Sequence, residues 1–322
     1  MLNTYRDIAA ELRRRIRSGV YKVDEPIPPR MDLLKEFGVA RSTLDRAMAE
    51  LQTTGDVTSR RGSGTYANAP SGYRIGFIDS LFEAHLRAVT PPLIRVPEHI
   101  LEQRSEHSRL LDFDALLWMQ PDRERLEIAA RFQGRIPQLI LNRVETGFPA
   151  ISFDHRGAYR QITAARLAEY PDCVPILLQQ QRDTLPIHYR QAGFADACRE
   201  RGCFYEICRM PDDFEGKVRV LRQKLEELGD GRPLALVSDS AAHTGAVMVV
   251  AREQKWAWKK SHCYSDVDDN YPSCVWGIKV TSLLQDTFLL IQEGTERIRR
   301  ILEGQDDGKL TLIPMTLREG DT

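Results

Sequence analysis

The sequence predicts an α/β chain in two parts. A small amino-terminal winged helix-turn-helix comes first, and a larger body of parallel sheets in two lobes follows. Three observations carry this reading. Residues 1–68 hold three helical periodicities and a glycine-tipped hairpin. Strand-like and helical runs alternate through residues 73–322, the pattern of parallel sheets covered by helices. The length of 322 residues is about twice that of a usual single domain.

The composition of 42% hydrophobic and 28% charged residues is that of a globular chain rather than a disordered or low-complexity one. No run reaches the ~18 apolar residues that a membrane span needs, and the start MLNTYRDIAAELRRR lacks an apolar signal core, so the expected compartment is the cytoplasm. Charge is uneven: residues 1–68 carry net +3 and residues 69–322 net −4, giving the −1 of the whole. A basic head on an acidic body points the head toward a polyanion.

Six cysteines contain no Cys-x-x-Cys pair and the seven histidines are dispersed, which gives a zinc site no support. Cys198, Cys203 and Cys208 lie five apart, as a redox trio or as ordinary packing. They are read here as reduced, packed thiols.

In the head, Tyr5, Ile8, Ala9, Leu12 and Ile16 follow helical spacing and Gly19 follows the last turn, which predicts a helix over 4–18. After the stiff Pro26-Ile27-Pro28-Pro29 turn, Met31, Leu33, Leu34 and Phe37 mark a short second helix ending at Gly38. A third runs from about Arg41 to Thr53. Two helices joined by a short glycine turn make a helix-turn-helix candidate. Leu44, Ala47, Met48 and Leu51 share one face of the third helix, while Arg41, Ser42, Thr43, Asp45 and Arg46 crowd its amino end or point away. That is where a recognition helix meets base edges and phosphates. A hairpin follows, Val57–Arg61 and Thr65–Ala67 around Gly62-Ser63-Gly64, with Arg60 and Arg61 beside the turn.

With these residues in order, YRDIAAELRRRIRSGVY, IPPRMDLLKEFGVARSTLDRAMAELQTTGDV and RRGSGTYA, the head resembles the GntR-type bacterial winged helix. The resemblance implies that Arg41, Ser42 and Thr43 make the main DNA contacts, with Arg61, Gly62 and Ser63 in the wing. Arg30, Arg46 and Arg60 complete the expected DNA face. Met31 stands where the family commonly has an arginine, with Arg30 one place earlier, and Ala40 where it has a serine. A half-site different from familiar ones is therefore expected.

Asn68–Gly72 is a turn-rich stretch at a composition shift, so the boundaries are 1–68 for the head, 69–72 for a linker and 73–322 for the body. Within the body, strands are expected at 73–78, Ala115–Met119, Pro137–Leu141, Val174–Leu178, Leu234–Val237, Ser261–Tyr264 and Val275–Val280. Helices are expected over 122–133, 157–169, 186–201, 214–228, 241–254 and 282–303. There is no Gly-x-Ser-x-Gly, no Walker loop and no dinucleotide turn after the first strand, which argues against an enzyme and leaves no cofactor implied. Asp112/Asp114, Asp212/Asp213 and Asp266/Asp268/Asp269 suit caps and turns better than acid–base pairs or metal sites.

Several stretches of the body resemble the LacI/GalR regulatory domain, which is similar to periplasmic sugar-binding proteins. They are IPQLILNR followed by ISFDHRGA, then HYRQAGFADA, ALVSDSAA, Tyr264-Ser265-Asp266 and the final strand from Ile313. The resemblance implies that Asp154, Arg190, Asp239 and Asp266 line a polar cleft between the lobes. A guanidinium and carboxylates suit sugar hydroxyls, and Phe82, Trp118 or Tyr264 would stack on the apolar sugar face; for Trp118 the core is the competing place. Only about 35 residues separate the first strand from Asp114, where that family has helix, strand and helix, so the resemblance implies a truncated first lobe. Phe82–Arg87 reads as a helix stub and Pro91–Val96 as a replacement strand.

The resulting expectation is a non-enzymatic, homodimeric transcriptional regulator, of the arabinose-repressor-like arrangement, with operator DNA and a sugar-like effector as partners. Its rivals are a DNA-binding protein whose body only dimerises, and an enzyme fused to a DNA-binding head.

Overall fold

The computed structural model describes all residues except 1–3, 18, 24, 61, 69–71, 80–88, 90–92, 182–183, 229–231, 261, 268–276 and 307. The described chain separates into two compact units, residues 1–151 with 288–311, and residues 152–287 with 312–322. Each is mixed α/β, and the head belongs to the first.

The head forms where its apolar periodicity demands. Helices α1 (Tyr5–Arg17), α2 (Arg30–Phe37) and α3 (Arg41–Thr53) enclose a core of Ile8, Leu12, Ile16, Leu33, Leu44 and Leu51. Gly38 ends α2 in the left-handed region at φ 63°, its N–H donating to the Leu34 carbonyl at 3.0 Å. That conformation suits glycine, so the turn into α3 is set locally. Strands β1 (Val57–Arg60) and β2 (Gly64–Ala67) pair antiparallel as the wing, and Val57 and Ala67 close the core from below.

In the rest of the first unit, β3 (Ile75–Ile78), β4 (Leu93–Arg95), β5 (Ala115–Met119), β6 (Gln138–Leu141) and β7 (Ala150–Phe153) lie in one sheet, with β13 (Thr311–Ile313) on its far edge; the order is β13-β7-β6-β5-β3-β4. A five-residue helix α4 (Glu98–Glu102) and a 3-10 turn at His107–Asp112 occupy the shortened stretch. Strand β4 falls within the expected replacement strand, while the Phe82–Arg87 stub lies outside the described residues. Helices α5 (Arg123–Arg131) and α10 (Thr287–Leu302) cover the sheet. A Cβ on Gly294 of α10 would stand 2.7 Å from Leu141 of β6, so only glycine permits this close approach.

Ion pairs fasten the head to this lobe. Arg17 Nη1 lies 2.7 Å from both Asp114 and the Gly72 carbonyl, Arg6 donates to Ser108 at 2.7 Å, and Asp7 pairs with Arg135. Most of the expected linker lies outside the described residues, but its last residue, Gly72, is held by α1.

The second unit begins with α6 (His155–Glu169). Its sheet runs β14-β12-β11-β10-β8-β9, from β8 (Val174–Gln180), β9 (Glu206–Met210), β10 (Leu234–Ser238), β11 (His262–Val267), β12 (Thr281–Leu284) and the antiparallel edge β14 (Thr316–Arg318). Helices α7 (Leu185–Arg201), α8 (Phe214–Leu228) and α9 (Thr244–Glu253) complete it.

Three expectations change. The strand placed at Val275–Val280 is found at Thr281–Leu284, and α10 accordingly starts at Thr287. β7 and β9 answer to no expected strand: β7 is only four residues long, and β9, at an edge, keeps polar residues such as Glu206 and Arg209. The single final strand is two short ones, β13 and β14, one in each sheet. No described helix is long and apolar enough to cross a membrane, and no described group of His, Cys, Asp and Glu is placed to hold a metal. Cys173, Cys198, Cys208 and Cys263 are buried and Cys203 half-buried; Cys203 meets Cys198, whereas Cys208 packs beside Met210.

Candidate nucleic-acid interface and a polar ledge

The amino end of α3 is an exposed basic part of the head. Its N-cap, Ala40, has no side chain able to cap the first turn, so the positive end of the helix dipole faces outward unneutralised. Arg41 is the first helical residue and its side chain is 82% exposed; Ser42 is exposed and Thr43 half-buried. Arg30, the first residue of α2, donates from Nε to Asp45 Oδ1 at 2.9 Å, and Arg41 Nε stands 3.7 Å from Asp45 Oδ2. One carboxylate thus gathers the leading arginines of both helices by their Nε edges. The sequence reading missed this role for Asp45, although its i+4 spacing from Arg41 is an available signal.

Two further basic residues of the expected DNA face are held by aromatic rings. The Arg46 guanidinium sits 4.1 Å from the Tyr5 ring centre, and that of Arg60 4.3 Å from Tyr66. In the wing, Gly62 adopts φ 76°, the Ser63 and Tyr66 hydroxyls are 2.5 Å apart, and Ser63 N–H donates to the Arg60 carbonyl at 3.0 Å. Arg61 lies outside the described residues.

In the second unit, polar side chains gather near the carboxyl ends of β8 and β10. Arg190 of α7 is only 7% exposed. Its Nη1 donates to the backbone carbonyl of Asp239, its Nη2 to Gln285 Oε1 at 3.4 Å and its Nε to His155 Nδ1 at 3.4 Å. Burial and the neighbouring Arg190 push His155 well below the usual histidine range, so it stays neutral and can accept. The Asp239 carboxylate accepts the Gln180 N–H at 3.1 and 3.0 Å; burial raises its pKa to about 6 against that hydrogen bond. Asp154 caps α6, accepting the Gly157 N–H at 2.8 Å.

Two expected site residues lie elsewhere. Asp266 is 2% exposed and faces hydroxyls, taking Thr244 Oγ1 at 2.5 Å and Ser282 Oγ, and no bond joins it to Arg190. Trp118 is fully buried among Leu116, Ile128, Phe132 and Ile140, its indole N–H donating to Gln138 Oε1 at 2.9 Å. It stands on an interior strand with all five residues buried, so it presents no face for stacking and is part of the core. Sequence reasoning missed His155, Gln180 and Gln285, which make the ledge through contacts distant in sequence.

The sequence model of the bacterial regulatory proteins of the gntR family matches residues 4–67. Residues 4–67 form a GntR-family head. Over 65 residues this head is 43% identical to the HTH-type transcriptional regulator GmuR of Bacillus subtilis (strain 168), covering 20% of this chain and 27% of that protein. It is 32% identical over 68 residues to the histidine utilization repressor of Klebsiella aerogenes, covering 21% and 28%. The chain thus matches about a quarter of the length of these curated relatives.

Beyond the GntR-family head the similarity is one of fold. A regulatory protein of the LacI family from Chloroflexus aggregans superposes with TM-score 0.64 at 17% identity, covering 76% of this chain and 96% of that one. A LacI family transcriptional regulator from Enterococcus faecium, with bound ribose, gives 0.59 at 13%, covering 77% and 97%. The body has the two parallel-sheet lobes of that fold.

Proposed function

We propose that the protein is a transcriptional regulator that reads operator DNA with its GntR-type head and senses a small polar ligand with its LacI-like body. The observation that carries this is the head itself: a family match over residues 4–67 whose α3 presents Arg41, Ser42 and Thr43 at an uncapped, outward amino end. Arg30 and Arg46 flank that end, and Arg60, Arg61, Gly62 and Ser63 would follow the phosphate backbone from the wing. The protein acts as a homodimer in the cytoplasm, since one winged helix makes too few phosphate contacts for tight specific binding. Its head ends at residue 68 and its body begins at 73.

The effector is sugar-like, a reading supported by the ribose bound to the Enterococcus faecium regulator of the same fold. Arg190, Asp154 and Asp239 are the residues offered to it, and Asp266 acts through the hydroxyl network behind them. Repression is the mode proposed. Selection of duplexes from a random pool by the full chain, followed by titration of the recovered site against a panel of sugars, tests both halves. Failure to enrich any sequence ends the DNA reading.

A second reading has its own observation: Arg190 is satisfied by the Asp239 carbonyl, Gln285 and His155, as it would be in a body that only dimerises. A thermal shift of the wild type by any panel sugar excludes it.

A further inference from the structure

The second unit carries a basic surface that neither the head nor the ledge accounts for. Strands β8, β10 and β11 are parallel and in register, with Val174, Leu234 and His262 side by side. The segments entering them therefore share one end of the sheet. Arg252 in the last turn of α9 and Lys255, Lys259 and Lys260 on the segment that follows it are all exposed, and Arg232 is exposed at the entry to β10. Among the described residues none of these five cations has a carboxylate partner. The nearby Glu253 is occupied by Arg222 at 2.6 and 3.0 Å, and among the described residues Asp172, at the entry to β8, is exposed at the same end of the sheet. This concentration of cations stands out because residues 69–322 as a whole carry net −4.

The lysines are also held in place. Lys255 and Lys259 adopt φ values of 52° and 59°, a left-handed conformation that costs a non-glycine residue free energy and persists only where packing enforces it. Here the packing is aromatic. Trp256 stacks on His262 at 4.3 Å and meets Trp258 edge-to-face at 5.6 Å, both tryptophans lying half-buried against the sheet. The Lys259 N–H closes the loop on the His262 carbonyl at 3.0 Å. Both rings pack part of their surface on the core, while all five cations around them are exposed. Exposed cations carried on a constrained backbone loop match a phosphate backbone.

We infer that the face built by Arg232, Arg252, Lys255, Lys259 and Lys260 is a second, sequence-independent contact for duplex DNA, on the body rather than the head. This rests on the DNA-binding reading of the head, which places the protein among phosphates. The test compares the full-length wild type, the triple variant Lys255→Ala/Lys259→Ala/Lys260→Ala and the triple Lys→Arg variant. Each is titrated over a range of salt against a random-sequence duplex of ~60 base pairs, and each is assayed for capture of a second, labelled duplex onto bead-bound DNA. Each phosphate neutralised contributes about 0.9 to the log–log salt slope, so the alanine variant is expected to lose about 2–3 units of slope and the capture of the second duplex. The arginine variant keeps both. Unchanged slope and capture in the folded alanine variant overturn the proposal, while selected-site binding by the wild type would leave the head's reading intact. Competition by poly-glutamate equal to that by duplex at matched charge also overturns it, assigning the face to an acidic protein. A wild type that binds no duplex of any kind overturns the head's reading as well.

Discussion

Arg41 in the head and Arg190 in the second unit are both proposed for recognition, yet they occupy opposite physical situations. Arg41 is 82% exposed and lightly held at 3.7 Å from Asp45, whereas Arg190 is 7% exposed and bonded to a backbone carbonyl, a glutamine and a histidine. An exposed ion pair contributes little to stability, so Arg41 can exchange Asp45 for a phosphate or a guanine edge at small cost. A buried guanidinium that is already satisfied must be given an equivalent partner before a ligand can take it. The lesson is that the proposed DNA contact could form with the head as it stands, whereas a ligand at Arg190 would first have to displace partners already in place.

The strongest way to break that contrast is Arg190→Ala. Removing the donor leaves the buried Asp239 carbonyl without its partner and empties packed volume, for an expected loss of roughly 2–4 kcal/mol. In a unit of this size that is a fall in Tm of about 5–15 °C, read by calorimetry. A variant as stable as the wild type would mean that Arg190 is as loosely held as Arg41, and the contrast would collapse.

Asp239→Asn sharpens the same side through pH. The folded carboxyl has its pKa raised to about 6 from 3.8, so the folded protein binds this proton more tightly than the unfolded chain does. Its contribution to stability is complete below pH 3.8 and is lost as pH rises through about 6. His243, only 3.8 Å away, is held neutral by burial down to about 3 and does not titrate in that window. Relative to the asparagine variant, the wild type should lose about 2 kcal/mol between pH 4 and 7 in urea unfolding. Parallel stability curves for the two proteins would remove the assignment.

On the head, Arg41→Ala should weaken binding to a selected duplex by roughly 1–3 kcal/mol with no change in Tm. Footprints at wild-type concentration would count against it. Asp45→Ala gives the smallest and most discriminating effect. Deleting a negative charge beside DNA should strengthen non-specific binding, while freeing Arg30 and Arg41 from their common carboxylate should weaken specific binding by about 0.5–1 kcal/mol. If specific and non-specific affinities rise together, Asp45 is only a repulsive charge.

The head was legible because its determinants are local. Leu44, Ala47, Met48 and Leu51 recur at helical spacing, Gly38 supplies the one backbone conformation the turn needs, and the wing follows a Gly-Ser-Gly tip. The alternating body was equally readable as parallel sheets covered by helices. The departures lie where neighbours in space decide. β9 is polar because it is an edge, and β12 lies a few residues beyond its most apolar run because the sheet, rather than hydrophobicity alone, sets where the ladder forms. Trp118 was a fair stacking candidate by residue type, and only the strands on either side of β5 put it in the core.

By itself, the sequence determined the helices of the head, the amino-end position of Arg41, Ser42 and Thr43, and the alternating order of the body, because each follows from periodicity and turn chemistry within a few residues. The tertiary structure decided what those side chains face. It set Asp45 between two arginines that begin different helices, closed Arg190 onto a carbonyl 49 residues away, and turned Asp266 toward hydroxyls rather than toward Arg190. Burial and hydrogen-bond satisfaction depend on atoms brought together from distant parts of the chain, and it is burial that separates an arginine free to bind from one already bound.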